Sequence, residues 1–120
     1  MTVCCPCPCC GHVVFAEPGS DEICPICFWQ DDIVQLRWPD MPGGANSVSL
    51  IEAQQNFIDH KVSEMRFLKD VRLAEPNERI DPGWRPLNVD ADVLESSLPG
   101  SRYWPDHDQF YWWRSTYWLR

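Results

Sequence analysis

The sequence predicts a small α+β fold. It consists of a β-hairpin carrying two cysteine knuckles, packed on one or two short helices and followed by an aromatic-rich C-terminal segment. Three observations predict it. The pattern Cys7-Pro8-Cys9-Cys10-Gly11 returns as Cys24-Pro25-Ile26-Cys27-Phe28, with thirteen residues between Cys10 and Cys24, giving C-x2-C-x13-C-x2-C. Ser49-Leu50-Ile51-Glu52 has the S-x-x-E form of a helix start. Residues 88–120 hold four of the seven Trp and all three Tyr. At 120 residues the chain is read as one unit, a knuckle-and-helix domain over 1–87 with an extension over 88–120 that packs on it.

Each C-P-x-C is a tight turn that aims two thiolates at one point and directs backbone N–H groups at the sulfurs. Two such turns make a tetrahedral site, so Cys7, Cys10, Cys24 and Cys27 are the predicted ligands of one structural Zn²⁺ in a zinc-ribbon hairpin. Iron in a rubredoxin-like site fits the same spacing. Two disulfides would suit an exported domain, but the N-terminus has neither a basic region nor an apolar run, and a cytoplasmic location is expected. A catalytic dithiol lacks its strand-then-helix context. Cys4 and Cys7 offer a second register. Cys7 with Cys10 is preferred because Gly11 supplies the positive φ needed after a knuckle. His12 directly follows a knuckle and is not taken as a ligand.

His12–Ala16 is β-branched and aromatic and reads as a strand; Glu17–Asp21 has turn chemistry, and Glu22-Ile23 returns to the second knuckle. The two ends of that hairpin would then hold the metal. Phe28 and Trp29 are expected to pack over the ribbon, with Asp31 and Asp32 either in solvent or forming a contact surface. A loop over 39–46 precedes a helix whose Leu50, Ala53, Phe57 and Ile58 face the ribbon, and Ser63 would cap a second short helix over 62–68. Phe110 to Trp118 reads as a strand with two aromatic faces. One reading places these rings in a small core. The other makes Trp104, Trp112, Trp113 and Trp118 a partner-binding face. Asp106-His107-Asp108 are chain neighbours and do not converge on one centre.

Cys4, Cys5 and Cys9 are left over. They are either small packed residues or part of a frayed terminus, or else a redox switch that ejects zinc on oxidation. The formal charge of −8 (10 Lys+Arg, 18 Asp+Glu) becomes −10 once four thiolates and one Zn²⁺ are counted. A nucleic-acid-binding zinc ribbon would need basic clusters that this chain lacks. Nor does any stretch have the length and apolarity to span a membrane.

The ordered set Cys7-Pro8-Cys9-Cys10-Gly11, Pro18-Gly19-Ser20, Glu22 to Trp29 with Asp31-Asp32, Gly43-Gly44-Ala45-Asn46-Ser47, and Asp81-Pro82-Gly83-Trp84-Arg85-Pro86-Leu87 resembles the bacterial cysteine-rich CPCC family over residues 5–87. The resemblance implies a small zinc-ribbon-like module in bacterial cytosol and lends no established activity. The Cys4-Cys5 pair and everything after Leu87 depart from it. No nucleophile elbow, phosphate loop or H-E-x-x-H is present, and three scattered histidines supply no catalytic set, so the chain is expected not to be an enzyme. The expected function is protein recognition. Its concrete form is an immunity or antitoxin-type protein masking a basic toxin domain.

Overall fold

The computed structural model describes residues 3–95 and 102–119. Strand β1, Cys5–Pro6, pairs antiparallel with β2, Val13–Phe15, with Cys5 opposite Phe15. The first knuckle is therefore the loop of this hairpin. That differs from the expected pairing, in which His12–Ala16 returned through Glu22-Ile23: Ile23 instead bridges Gln30 across the second knuckle. The reason is local. A C-P-x-C turn reverses the chain within itself, so its own flanks meet at a lower loop-closure cost than strands joined through 17–21.

Asp32 is not a free surface acid. Its Oδ1 accepts from the backbone N–H of Val34 (2.8 Å) and Gln35 (3.5 Å), capping helix α1, Ile33–Arg37, while Oδ2 accepts from Ala45 N–H (2.9 Å). An aspartate ahead of Ile33-Val34 is an N-cap signal, and capping gives Asp32 a structural role in place of the expected solvent or contact position. Gln35 and Asn46, both buried, then tie the loop after α1 to the body. The Gln35 amide donates to the carbonyls of Met41 and Val48 (2.9 and 3.0 Å), and its Oε1 accepts from Asn46 (2.9 Å from Nδ2). Gly44 gives this loop its close approach to α1: a Cβ there would lie 2.6 Å from Asp32 Oδ2 and 2.8 Å from Gln35 Cδ, so those side chains would have to shift.

Helix α2, Leu50–His60, starts at Ser49, whose Oγ accepts from Glu52 N–H (3.1 Å), and stops at Lys61 in the left-handed region. Leu50 and Ala53 are fully buried and Phe57 is half-buried. Ile58 points to solvent instead of the ribbon. Residues 62–68 form only a single 3-10 turn, Met65–Phe67, and Ser63 is buried rather than capping a helix.

The tail is also not a strand. After a 3-10 turn over His107–Phe110 it runs as irregular turns, and the consecutive rings of Phe110, Tyr111 and Trp112 are all buried. A strand would send alternate rings to opposite sides. Turns let all three enter one core, shared with Phe15, Trp29, Leu36, Leu50 and the buried cysteines. The tail's polar atoms find partners on the domain: Trp112 Nε1–H donates to Arg85 O (3.0 Å) and Trp113 Nε1–H to Asp81 Oδ2 (2.7 Å). Arg114 forms an ion pair with the same Asp81 (3.0 Å).

Candidate metal centre

Both knuckles have one backbone design. Cys7 N–H donates to His12 O (2.8 Å) and Gly11 N–H to Cys7 O (2.7 Å); Cys24 N–H donates to Trp29 O and Phe28 N–H to Cys24 O, both at 2.9 Å. The residue closing each turn has positive φ, +83° at Gly11 and +69° at Phe28. Glycine adopts this freely. Phe28 pays a steric penalty of about 1–2 kcal/mol and meets Phe67 at a ring separation of 4.6 Å. Gly11 answers a second demand, since a Cβ there would stand 2.4 Å from the Trp84 ring. Trp84 lies on the first knuckle and its indole N–H donates to Pro8 O (3.3 Å).

The paired turns bring Cys7, Cys10, Cys24 and Cys27 together, all four at 1% exposure or less, with their sulfurs within 4.8 Å of one another. Cys7 Sγ lies 3.5 Å from Cys27 Sγ, and Cys10 Sγ 3.8 Å from Cys24 Sγ. Four thiolates around an ion at a 2.3 Å metal–sulfur distance stand about 3.8 Å apart, so the cluster has the size of a tetrahedral site. None of the four is in a disulfide.

Without a cation the cluster shares its charge unequally. Burial pushes the Cys7, Cys10 and Cys27 thiols up, whereas the Cys24 thiol is held far below its ordinary value by hydrogen bonds from Cys10, Cys27 and Cys7. A divalent cation that displaces the remaining protons fits this donor set.

The other cysteines separate into two kinds. Cys9 is a free, fully buried thiol close enough to Cys27 to affect it. Cys4 and Cys5 form a disulfide between adjacent residues, outside the cluster.

The aromatic and acidic residues considered for partner contact fall in different places. Asp31 is fully buried, and Trp112 is 1% exposed. Trp113 and Trp118 are half-buried against the core, and only Trp104 is substantially exposed, at 46%. Asp31 therefore corrects the expectation of a solvent-facing acid. Its Oδ2 accepts from Ser20 N–H (2.9 Å) and the Ser20 hydroxyl (3.3 Å), which ties the 17–21 turn to the second knuckle. Its Oδ1 is buried with no partner among the described residues. Burial, opposed by the Ser20 and Gly19 hydrogen bonds and aided by Asp21, raises the Asp31 carboxyl to about 7.

A buried acid whose folded-state value lies above its ordinary one keeps a proton that the unfolded chain releases. Stability is then highest below the ordinary value of 3.8 and falls as pH rises toward 7. Asp31→Asn keeps the shape and the Ser20 acceptor but cannot ionise. In metal-loaded protein, the variant is expected to gain about 2–4 kcal/mol relative to the parent between pH 4 and pH 8. Denaturant unfolding of both proteins across that range measures it. Parallel curves would remove the assignment.

Several structural residues carry no sequence signal of their own. Gln54 spans from α2 to both ends of the domain, donating to Pro8 O and accepting from Leu87 N–H, each at 2.9 Å. Arg37 is 2% exposed. Its guanidinium carbon lies 4.8, 4.4, 5.8 and 4.9 Å from the ring centres of Trp38, Trp104, Phe110 and Trp118. Glu95 takes it bidentately, at 2.6 and 3.0 Å.

No curated protein matches the chain. A family model described as cysteine-rich CPCC matches residues 5–78, so Asp81-Pro82-Gly83-Trp84 and the tail lie beyond it. The matched span covers more than half of the chain and contains both knuckles with all four clustered sulfurs, and the protein therefore belongs to the cysteine-rich CPCC family.

Proposed function

We propose that this protein binds one structural Zn²⁺ through Cys7, Cys10, Cys24 and Cys27 and acts by recognising another protein rather than by catalysis. The observation that carries the reading is the sealed cluster: four buried sulfurs within 4.8 Å of one another are enough donors for a tetrahedral ion, which would then have no position for water or substrate. A reducing compartment, the cytoplasm, suits a site that needs four reduced sulfurs. No helix among the described residues is long and apolar enough to cross a membrane.

The net charge of −8 favours a basic partner and disfavours nucleic acid. Tyr103 and Trp104 are exposed at 63% and 46%, and Asp106 and Asp108 beside them are exposed acids. Rings supply anchor area and acids supply steering. The most specific form of the reading is an immunity or antitoxin-type protein that masks a basic toxin domain. Trp118 supports this face by packing against Tyr103 at a ring separation of 6.3 Å, whereas Asp32, Trp112 and Trp113 are held by other partners and are not contacts in this reading.

Two measurements test it. Native mass spectrometry should show one zinc per chain; iron, two metals or none would overturn the metal assignment. Affinity capture from the native host should recover a basic protein, with recovery cut at least tenfold by Tyr103→Ala/Trp104→Ala. Recovery of nucleic acid, or of a partner indifferent to that variant, would overturn the recognition surface.

A further inference from the structure

The Cys4–Cys5 pair is used by nothing described so far, yet it sits where a second thiol can reach it. Cys4 is exposed and Cys5 is 7% exposed, and both line an open cleft of about 720 Å³ between the first strand, the 17–19 turn and the 106–108 segment. The four clustered sulfurs are sealed at 1% exposure or less. The S–S bond is not the sole tie on this stretch: Cys4 N–H donates to Phe15 O (2.9 Å) and Cys5 is paired with Phe15 in the β1–β2 hairpin. The reduced form also has a place prepared. Cys4 Sγ stands 3.0 Å from the Ala16 carbonyl oxygen, which would accept its S–H.

We propose that Cys4–Cys5 is a thiol–disulfide exchange site, distinct from the metal centre, that takes a neutral or basic dithiol. Glu17, Asp106 and Asp108 line the cleft, and its one arginine, Arg114, is engaged by Asp81, so the cleft disfavours an anionic thiol. The first sulfur of the dithiol attacks the exposed Cys4 Sγ. The Cys4–Cys5 bond breaks and Cys5 leaves with the electron pair and takes up a proton. The second sulfur of the dithiol then attacks the first and closes the dithiol to its disulfide, releasing Cys4 as a thiol. Two electrons and two protons pass from the dithiol to the pair, and the four-sulfur centre takes no part.

The test uses the full chain carrying its metal, oxidised with diamide, reduced with dithiothreitol, alkylated and mapped by peptide mass. Two new labels are expected, at Cys4 and Cys5, with Cys9 unlabelled and the metal fully retained. Single variants report direction. Cys5→Ser should form a mixed disulfide at Cys4 with cystamine at least tenfold faster than Cys4→Ser does at Cys5. At low salt, cystamine should modify Cys5→Ser several-fold faster than the anionic dithiodipropionate.

No label at the pair, label only with metal loss, or equal rates in the two single variants would overturn the site. A preference for the anionic disulfide overturns the stated reductant class. If the chain carries no metal, the zinc reading fails, and the labels at Cys4 and Cys5 still decide this one.

Discussion

Removing the metal with a strong chelator is expected to unfold the protein, with loss of near-ultraviolet dichroism from its buried Trp29, Tyr111 and Trp112. Binding to a site that does not exist in the unfolded chain is folding free energy, about 10–16 kcal/mol for structural zinc in small peptides. The hairpin here has a two-residue strand facing a three-residue one, too little to stand alone. Cys24→Ser should bind zinc at least a hundredfold more weakly and remain unfolded at a metal concentration that folds the parent. Cys9→Ser is the matched control: it changes an equally buried sulfur outside the cluster and should keep one metal and the fold. A chelated protein with unchanged dichroism and unfolding midpoint would show that the fold does not depend on the ion.

The second large effect is expected at Arg37 and Glu95. Arg37 is buried among four rings that join α1 to the tail, and Glu95 neutralises it. Glu95→Ala leaves the guanidinium charge buried without that carboxylate and should cost about 3–5 kcal/mol. The double change Arg37→Met/Glu95→Met removes both charges and keeps apolar volume against the rings. It should recover most of that loss, because a desolvated pair contributes less than its rupture costs. Urea unfolding of the three proteins measures this. A double variant no better than Glu95→Ala would show that cation–ring contacts, rather than charge compensation, hold the tail.

Legibility in the sequence followed the range of each interaction. The α2 start was readable at Ser49 and Glu52, since a cap acts within one turn. Gly11 was readable because a positive φ restricts the residue that occupies it. The tail forms turns where its aromatic pattern predicts a strand, because that pattern cannot distinguish two sheet faces from consecutive rings turned into one core. Asp31 and Asp32 looked alike as adjacent acids. One became a helix cap and the other a buried tie to Ser20, and that difference depends on where the 17–21 turn lies in space.

By itself the sequence determined which four cysteines cluster, because each C-P-x-C turn brings its own two sulfurs together, and it determined the net acidic charge. Only the tertiary structure decided which flanks pair across each knuckle and that Arg37 and Asp81 anchor the tail. It also set the Cys4–Cys5 disulfide in an open cleft while sealing the other sulfurs. Turn chemistry is encoded within a few residues. Burial is a property of what arrives from elsewhere in the chain, and here the 102–119 segment supplies much of the cover.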